Sequence, residues 1–445
     1  MDESRTPGPL AVSAGRSGQR PGRRARGAVP RAPAENWWSR LWKPFWALPA
    51  VCVVAALVAG IILPLIEESW GTTRLQYVFQ GGPDGAREVL GTVSSAMISV
   101  TGLVFSITIV VLQLASSQFT PRALGGFLQS RIVQGTLGIF IATFIFALTV
   151  TRYVRGSNVS EQFVPQVSVT LAFVLVLACM GYFLAFIHHI TTTVQVSHVI
   201  SRIGDQTLKT AGRMYPERAE DLAPTFGPTW SPDGGTPQVR LPAPRHGAIT
   251  HVDYPGLARW AARHDVVVSV DRSVGEFLVE GQDLLTLWGT SELDARTSRK
   301  VYRFVGVGPQ RVAHQDVAFG IRQLVDIIDR ALSPGVNDPT TALQCLQELH
   351  RILRHLVQQA TPSPYIADDQ GQVRVVHHPQ SVSDLVQLAV REPAHYGQDS
   401  LRMIPGLRAM LEDLQQVTAS RYRDTIDRLL AGLPAPEDNS RPRRP

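Results

Sequence analysis

Four stretches of the chain carry no Asp, Glu, Lys or Arg: Phe45–Ile66, Val89–Ala115, Ile132–Thr151 and Phe163–Ile187. Each reaches or exceeds the roughly 20 apolar residues that carry a helix across the hydrocarbon core of a bilayer. A single run of this kind also suits a helix buried in a soluble core, but four of them within one third of a chain do not. The pattern predicts four transmembrane helices, over about residues 45–66, 89–115, 132–151 and 163–187. The first run begins beyond residue 40, is too long for the apolar centre of a signal peptide, and ends at Ile66-Glu67-Glu68 without a small-residue cleavage site. It is expected to stay as an anchor.

After Ile190 the pattern becomes that of a water-soluble region of mixed α/β character. Residues 191–240 read as a helix continuing from the last span, followed by a Pro/Gly-rich linker. Residues 241–310 alternate in strand fashion around turn residues and form an expected β-rich module. From Gln315 the period turns helical: Val317, Ile321, Leu324, Val325, Ile328 and Leu332 share one face, and Ser333-Pro334-Gly335 stops the helix. Asn337 or Asp338 with Pro339 opens the next helix. Residues 311–433 are therefore expected to be a helical domain with a short hairpin around Asp368 to Gly371. The Arg-, Pro- and Gly-rich arm 1–43 and the tail 434–445 lack the apolar residues to fold and are expected to be disordered.

Three segments carry a resemblance to a known family. They are Ala96 to Pro121, Phe186-Ile187-His188-His189-Ile190, and Gln315-Asp316 through Phe319-Gly320-Ile321-Arg322-Gln323-Leu324-Val325-Asp326 to Ser333-Pro334-Gly335-Val336-Asn337-Asp338-Pro339. In these the chain resembles the bacterial predicted membrane proteins grouped as domain of unknown function 2254, over about residues 40–430. The resemblance implies a bacterial inner-membrane protein and brings no activity, ligand or catalytic residue with it. One departure stands at Val312, near which the family tends to carry threonine.

Charge sets an expected orientation. The arm holds Arg16, Arg20, Arg23, Arg24, Arg26, Arg31, Arg40 and Lys43, and basic residues beside a first span mark the cytoplasmic side. Four crossings then place both termini in the cytoplasm. Trp37, Trp38, Trp42 and Trp46 suit an interfacial aromatic belt, and the arm's charge suits anionic lipid rather than nucleic acid. Arg152 and Arg155 in the second outer loop run mildly against this orientation. The formal charge of +6 arises largely from the arm and the Arg-Pro tail, so it describes no binding surface. Cys52, Cys179 and Cys345 form neither a metal spacing nor a disulfide framework and read as small buried hydrophobes.

The second span carries the one pattern that hints at activity. At 100° per residue Ser95, Ser99, Gly102, Ser106, Gln113 and Ser117 fall in a narrow arc, with Glu88 on its outward extension. Lined up around a pore, these hydroxyls would face water, Glu88 would draw cations at the outer mouth, and Ile109 would form an apolar constriction. The competing reading is helix packing, since small residues let backbones approach and Ser hydroxyls can bond their own i−4 carbonyls. Ser94, Thr101 and Thr108 form a second row on another face. Gly138 with Ala142 and Gly181 with Ala185 are small-xxx-small pairs that favour packing.

Elsewhere the candidates are weaker. His188 and His189 point about 100° apart on a helix, which suits interfacial anchoring better than a shared metal, with pH sensing as the alternative. His350 with His355, and His377-His378, assemble no ligand set. Ser269 to Trp288 has the rhythm of half a lipoyl-like hammerhead, but Lys43, Lys209 and Lys300 are the only lysines and none lies at its tip. Asp316, Gly320 and Gln323 share a helical face, and with Asn337 and Asp338 they form a candidate cytoplasmic polar cluster. Its residues either converge on a ligand or, as Asn337 and Asp338 suggest, cap helices. No phosphate loop, nucleophile elbow or zinc helix is present, so no enzymatic role, cofactor or metal is expected. The reading is a channel-like or transport-associated membrane protein, a homo-oligomer gated by its cytoplasmic region. The alternative is a membrane-anchored scaffold or sensor.

Overall fold

The computed structural model describes residues 45–70, 79–118, 130–156, 163–193, 195–216, 229–233 and 236–434. The arm 1–43 and the tail from residue 435 lie outside them. Four long helices come first: α1 (Ala47–Trp70), α2 (Pro83–Gln118), α3 (Arg131–Thr151) and α4 (Gln166–Thr193). All four are long and apolar enough to cross a membrane. Two helix starts differ most from the sequence expectation, for local reasons. Helix α2 begins six residues before Val89, where Pro83 opens it and Asp84 complements the positive end of its dipole. Helix α4 begins after Pro165, because Phe163 is held in an antiparallel bridge to Arg155.

Helix α3 is the centre of the bundle. In its apolar window 67% of residues are buried, against 17% to 22% in the other three. It packs against α1, α2 and α4 through Val133, Leu137, Phe140, Phe146 and Val150. Small residues set the closest approach: a Cβ on Gly138 would lie 3.1 Å from Cys52 Sγ and 3.3 Å from Pro49 Cα, and one on Gly60 would lie 3.0 Å from Thr149 Cβ.

The region after the bundle has two hydrophobic cores. The β-rich part holds β1 (Gln238–Pro242), β2 (Gly247–Val252), α6 (Tyr254–His264), β3 (Val267–Val270), β4 (Phe277–Leu278), β5 (Asp283–Trp288), α7 (Ala295–Val301), a 3-10 turn and β6 (Val305–Gly308). With β7 (Tyr365–Ala367) and β8 (Val373–Val376), its strands form sheets of order β1-β5-β3-β8-β7 and β4-β2-β6. The hairpin expected inside the helical domain thus belongs by hydrogen bonding to the β-rich part, with β8 parallel to β3 and Val268 beside Val375.

The helical core contains α5 (Val196–Met214), α8 (Val317–Ala331), α9 (Pro339–Leu356), α10 (Val382–Tyr396), α11 (Met403–Val417) and α12 (Ser420–Gly432). Helix α5, which reads in sequence as a lead into a linker, is an integral member: its Ile200, Ile203 and Ala211, and Tyr215 just after it, are buried in that core. The amphipathic face predicted on α8 is buried at Val317, Ile321, Leu324, Val325 and Ile328.

The helices have a consistent polarity. Thr207 lies against Gly320, and Thr210 Oγ1 donates to Ala313 O at 2.9 Å, so α5 runs antiparallel to α8. Asp205 pairs with Arg351 at 2.7 Å and Gly212 approaches His355, so α5 and α9 run parallel. Ala318 N donates to Gln380 Oε1 at 3.1 Å and Arg322 pairs with Glu392, which sets α10 parallel to α8. Helix α11 follows α9, with Gly406 against Leu343 and Leu346, and Asp413 against His350. The start of α5, the α8–α9 loop and the α10–α11 loop therefore share one end of the core.

Candidate functional site

Packing sorts the two polar rows of α2. Leu90, Val93, Met97, Val104 and Val111 turn towards the bundle, and Ser94 and Thr108 are buried among them. These hydroxyls are satisfied within the helix: Ser94 donates to Leu90 O at 2.9 Å, Thr101 to Met97 O at 2.6 Å and Thr108 to Val104 O at 2.7 Å. Such i−4 bonds let a hydroxyl sit in an apolar interface at little cost.

The other row lies outside the bundle. Glu88, Ser95, Ser99, Gly102, Ser106, Ile109 and Gln113 are all exposed. A Cβ on Gly102 would meet no atom within 4 Å. Ser99 donates to Ser95 O at 2.9 Å. Ser117 sits on the last turn of the helix, with its side chain outside the described residues. The four helices thus do not enclose the stripe. Gly181 on α4, one of the small pairs, also faces open space, whereas Gly138 is in contact.

One end of the bundle is closed by polar bonds that the charge-free runs conceal. Glu67, on the last turns of α1, is 6% exposed and caps α4: it accepts from Val167 N at 2.9 Å and Ser168 N at 2.8 Å. A carboxylate satisfies the orphan N–H groups of a helix start and complements its dipole. Beside it Arg155 pairs with Glu68 at 2.8 Å, and Arg87 donates to Val154 O at 2.9 Å. Arg155, which ran against the expected orientation, is therefore neutralised locally. At the opposite end Ser130 Oγ and His189 Nε2 are 2.7 Å apart, tying the start of α3 to the end of α4. His188 is exposed. Acidic residues at a span boundary were the available signal for Glu67, but its partner 101 residues away was not.

In the helical core the candidate cluster is spread along one helix. Asp316 is the N-cap of α8, accepting from Phe319 N at 2.9 Å; it is also clamped by Arg311 at 2.8 and 2.9 Å and by Gln380 Nε2 at 2.8 Å. With 1% exposure and four donors it has no free face. Gln315 beside it brackets Val252, accepting from its N at 2.9 Å and donating to its O at 3.1 Å. The Gln315-Asp316 pair is thus the joint between β2 and the helical core. Gly275, at φ 93°, leaves room for that carboxylate: a Cβ there would lie 2.1 Å from Asp316 Oδ2.

Asn337 and Asp338 lie beyond the other end of α8, about 22 Å away by the rise of fifteen residues. Asp338 caps α9, accepting from Thr340 N at 3.1 Å and Thr341 N at 3.0 Å, and Asn337 takes the left-handed conformation at φ 46°. The Thr341 hydroxyl, which donates to Asp338 Oδ2 at 2.6 Å, together with those backbone bonds holds the Asp338 carboxyl below the usual range. Gln323 is partly buried midway along α8. These four residues do not meet at one place.

Two features were not visible in sequence. Arg322 and Glu392 pair across α8 and α10, with Asp329 alongside; burial, together with the Glu392 carboxylate, pushes Asp329 up to about 7. Between α10 and α12 lies a cleft of about 470 Å³ bordered by Arg391, His395 and Arg428. No group of three or more metal-ligating side chains occurs among the described residues.

Comparison with known proteins agrees with a membrane protein. The family described as "Predicted membrane protein (DUF2254)" matches residues 42–413. The uncharacterized protein MT1328 of Mycobacterium tuberculosis (strain CDC 1551 / Oshkosh) is 31% identical over 375 residues, covering 83% of this chain and 71% of that protein. The uncharacterized protein Mb1321c of Mycobacterium bovis is similar to the same extent, 31% over 375 residues. No solved structure matches the chain.

Proposed function

The chain belongs to the family of predicted membrane proteins grouped as domain of unknown function 2254, and on that premise we propose a channel-like or transport-associated protein, without catalysis, built from several copies in a bacterial inner membrane. Both termini lie in the cytoplasm in this reading, and the region after α4 regulates the pathway. One observation carries it. The row Ser95, Ser99, Gly102, Ser106 and Gln113 is exposed on α2, while the row with Ser94 and Thr108 is the one buried in the bundle. In a lone protomer the exposed row faces acyl chains, where polar groups are costly. Several copies arranged with these faces inward give the serines water, put Glu88 at one mouth and leave Ile109 as an apolar constriction.

Purified protein in planar bilayers is expected to pass ions, and Ser106→Phe to block them. Absence of conductance at every voltage, tension and pH tried would sink the channel reading. The second reading, a scaffold or sensor, is favoured by the Ser99 bond to Ser95 O, which lets the row sit dry against another helix. Cysteine replacements at Ser95, Ser99 and Ser106, after Cys52 and Cys179 are removed, separate the two. Labelling by a water-soluble thiol reagent supports a pore, and uniform protection supports packing.

A further inference from the structure

Three large apolar side chains are exposed on the helical core: Val336 at 52%, Tyr396 at 55% and Leu401 at 72%. Val336 is on the α8–α9 loop, while Tyr396 and Leu401 flank the turn between α10 and α11. By the helix polarities above, all three lie at the end where α5 begins. Only residues 194 and 195 separate α4 from α5, so the first turn of α5 sits within about 11 Å of the end of the last candidate span. Exposed apolar groups clustered on the face nearest a membrane exit are the signature of an interaction surface.

Both loops are braced. Ser333 O accepts from Val336 N at 3.0 Å and Asn337 N at 2.9 Å, and Asp338 N donates to Ala331 O at 2.7 Å. Ser400 N donates to Gly397 O at 3.0 Å, and Met403 N to Ser400 Oγ at 3.3 Å. Val336 and Leu401 are thus held out by their backbones. Beside Leu401 stands Arg402, exposed and without an ion pair among the described residues, with Asp399 as the acidic group of the same loop. A phenol such as Tyr396 and an arginine beside a leucine suit the headgroup layer, where one end of a side chain is apolar and the other wet.

We propose that this end of the helical core rests on the surface of the bilayer that the spans cross, with Val336, Tyr396 and Leu401 set among the lipid headgroups. The proposal stands on the reading that α1 to α4 span that bilayer. The partner is the phospholipid surface itself, reached because α5 leads directly out of it. The β-rich part lies at the far end, where Gly275 meets Asp316 at the start of α8, so its exposed Phe277 at 63% stays in water.

The full chain in nanodiscs tests this, with Cys52, Cys179 and Cys345 replaced and one bimane-labelled cysteine at Val336, Leu401, Leu177 or Phe277. Leu177 is an exposed residue of α4 and reports the span itself. Lipids carrying a nitroxide at the headgroup or on the upper acyl chain are expected to quench bimane severalfold at 336 and 401, lipids carrying it deep in the acyl chain to quench at 177, and both to leave 277 unchanged. Quenching at 177 without quenching at 336 and 401 overturns this inference alone. No quenching at 177 overturns the membrane-spanning reading beneath it. Shielding of 336 and 401 from aqueous iodide only in discs holding two copies, without lipid quenching, assigns the surface to a second copy and also overturns it.

Discussion

Glu67 on α1 holds Ser168 on α4 by both of its donors, the backbone N–H at 2.8 Å and the hydroxyl at 2.5 Å. The bond joins two helices that pack mainly through α3, so it fixes where α4 starts relative to α1. Glu67→Ala leaves the first N–H groups of a buried helix end without partners and is expected to destabilise the bundle by about 2–3 kcal/mol. Glu67→Gln, which keeps an acceptor and loses the charge, is expected to cost roughly half as much. Thermal unfolding in one detergent, compared across the three proteins, checks the order.

Burial holds His377 neutral down to about pH 4, from an ordinary value of 6.5. The unfolded chain binds the proton first as pH falls, so this stability is complete above 6.5 and is lost as pH drops towards 4. The loss amounts to about 3 kcal/mol at the acid end. His377→Gln is expected to flatten that slope. Denaturant midpoints of both proteins from pH 7.5 to pH 4 measure it.

Gly320 has no space for a methyl group: a Cβ there would lie 1.9 Å from Thr207 Oγ1 and 2.8 Å from Thr207 Cβ. Gly320→Ala is expected to cost about 2–3 kcal/mol by forcing α5 away from α8. Thr207→Ala in the same protein removes the Oγ1 and Cγ2 clashes but keeps a Cβ 2.8 Å away, so the double variant is expected to recover part of the loss and to stay less stable than the natural protein. Urea denaturation in a double-mutant cycle gives the coupling.

Asp329 presents the opposite sign from His377. Its carboxyl is raised to about 7, so the folded state holds a proton that the unfolded chain releases from about 4 upward. Stability is present at acid pH and lost as pH climbs through 7. Asp329→Asn removes the loss, with a gain on the order of 1–2 kcal/mol above neutrality after solvent screening and a minimal one near pH 4. The same denaturation series, extended to pH 8.5, reads it.

The four long apolar helices were legible because 20 uncharged residues in a row have few alternatives to forming a helix able to cross a bilayer. Which side of α2 packs was not. In a membrane the bundle-facing and lipid-facing sides are both apolar, so Val93 and Met97 look no different in sequence from Ile98 and Phe105, yet the first two are buried and the last two exposed. Capping by Asp338 was readable from Asn-Asp-Pro chemistry, which is local. Capping by Glu67, and the joining of β8 to β3, depend on partners far along the chain that no local pattern specifies. The cleft beside Arg391 and the Asp329–Glu392 contact arise from helix faces brought together only by the fold.

Ile200, Ile203 and Ala211 of α5 fill the same core as Ile321 and Leu349. A fragment without the four apolar helices, prepared by cutting in the Pro/Gly-rich segment near residue 230, would carry a trench shaped to that missing helix. Such a fragment is expected to aggregate or to need detergent. One starting at Gln195 carries its own filling and is expected to stay monodisperse, so the natural place to divide this chain is at the membrane exit and not at its most flexible-looking composition.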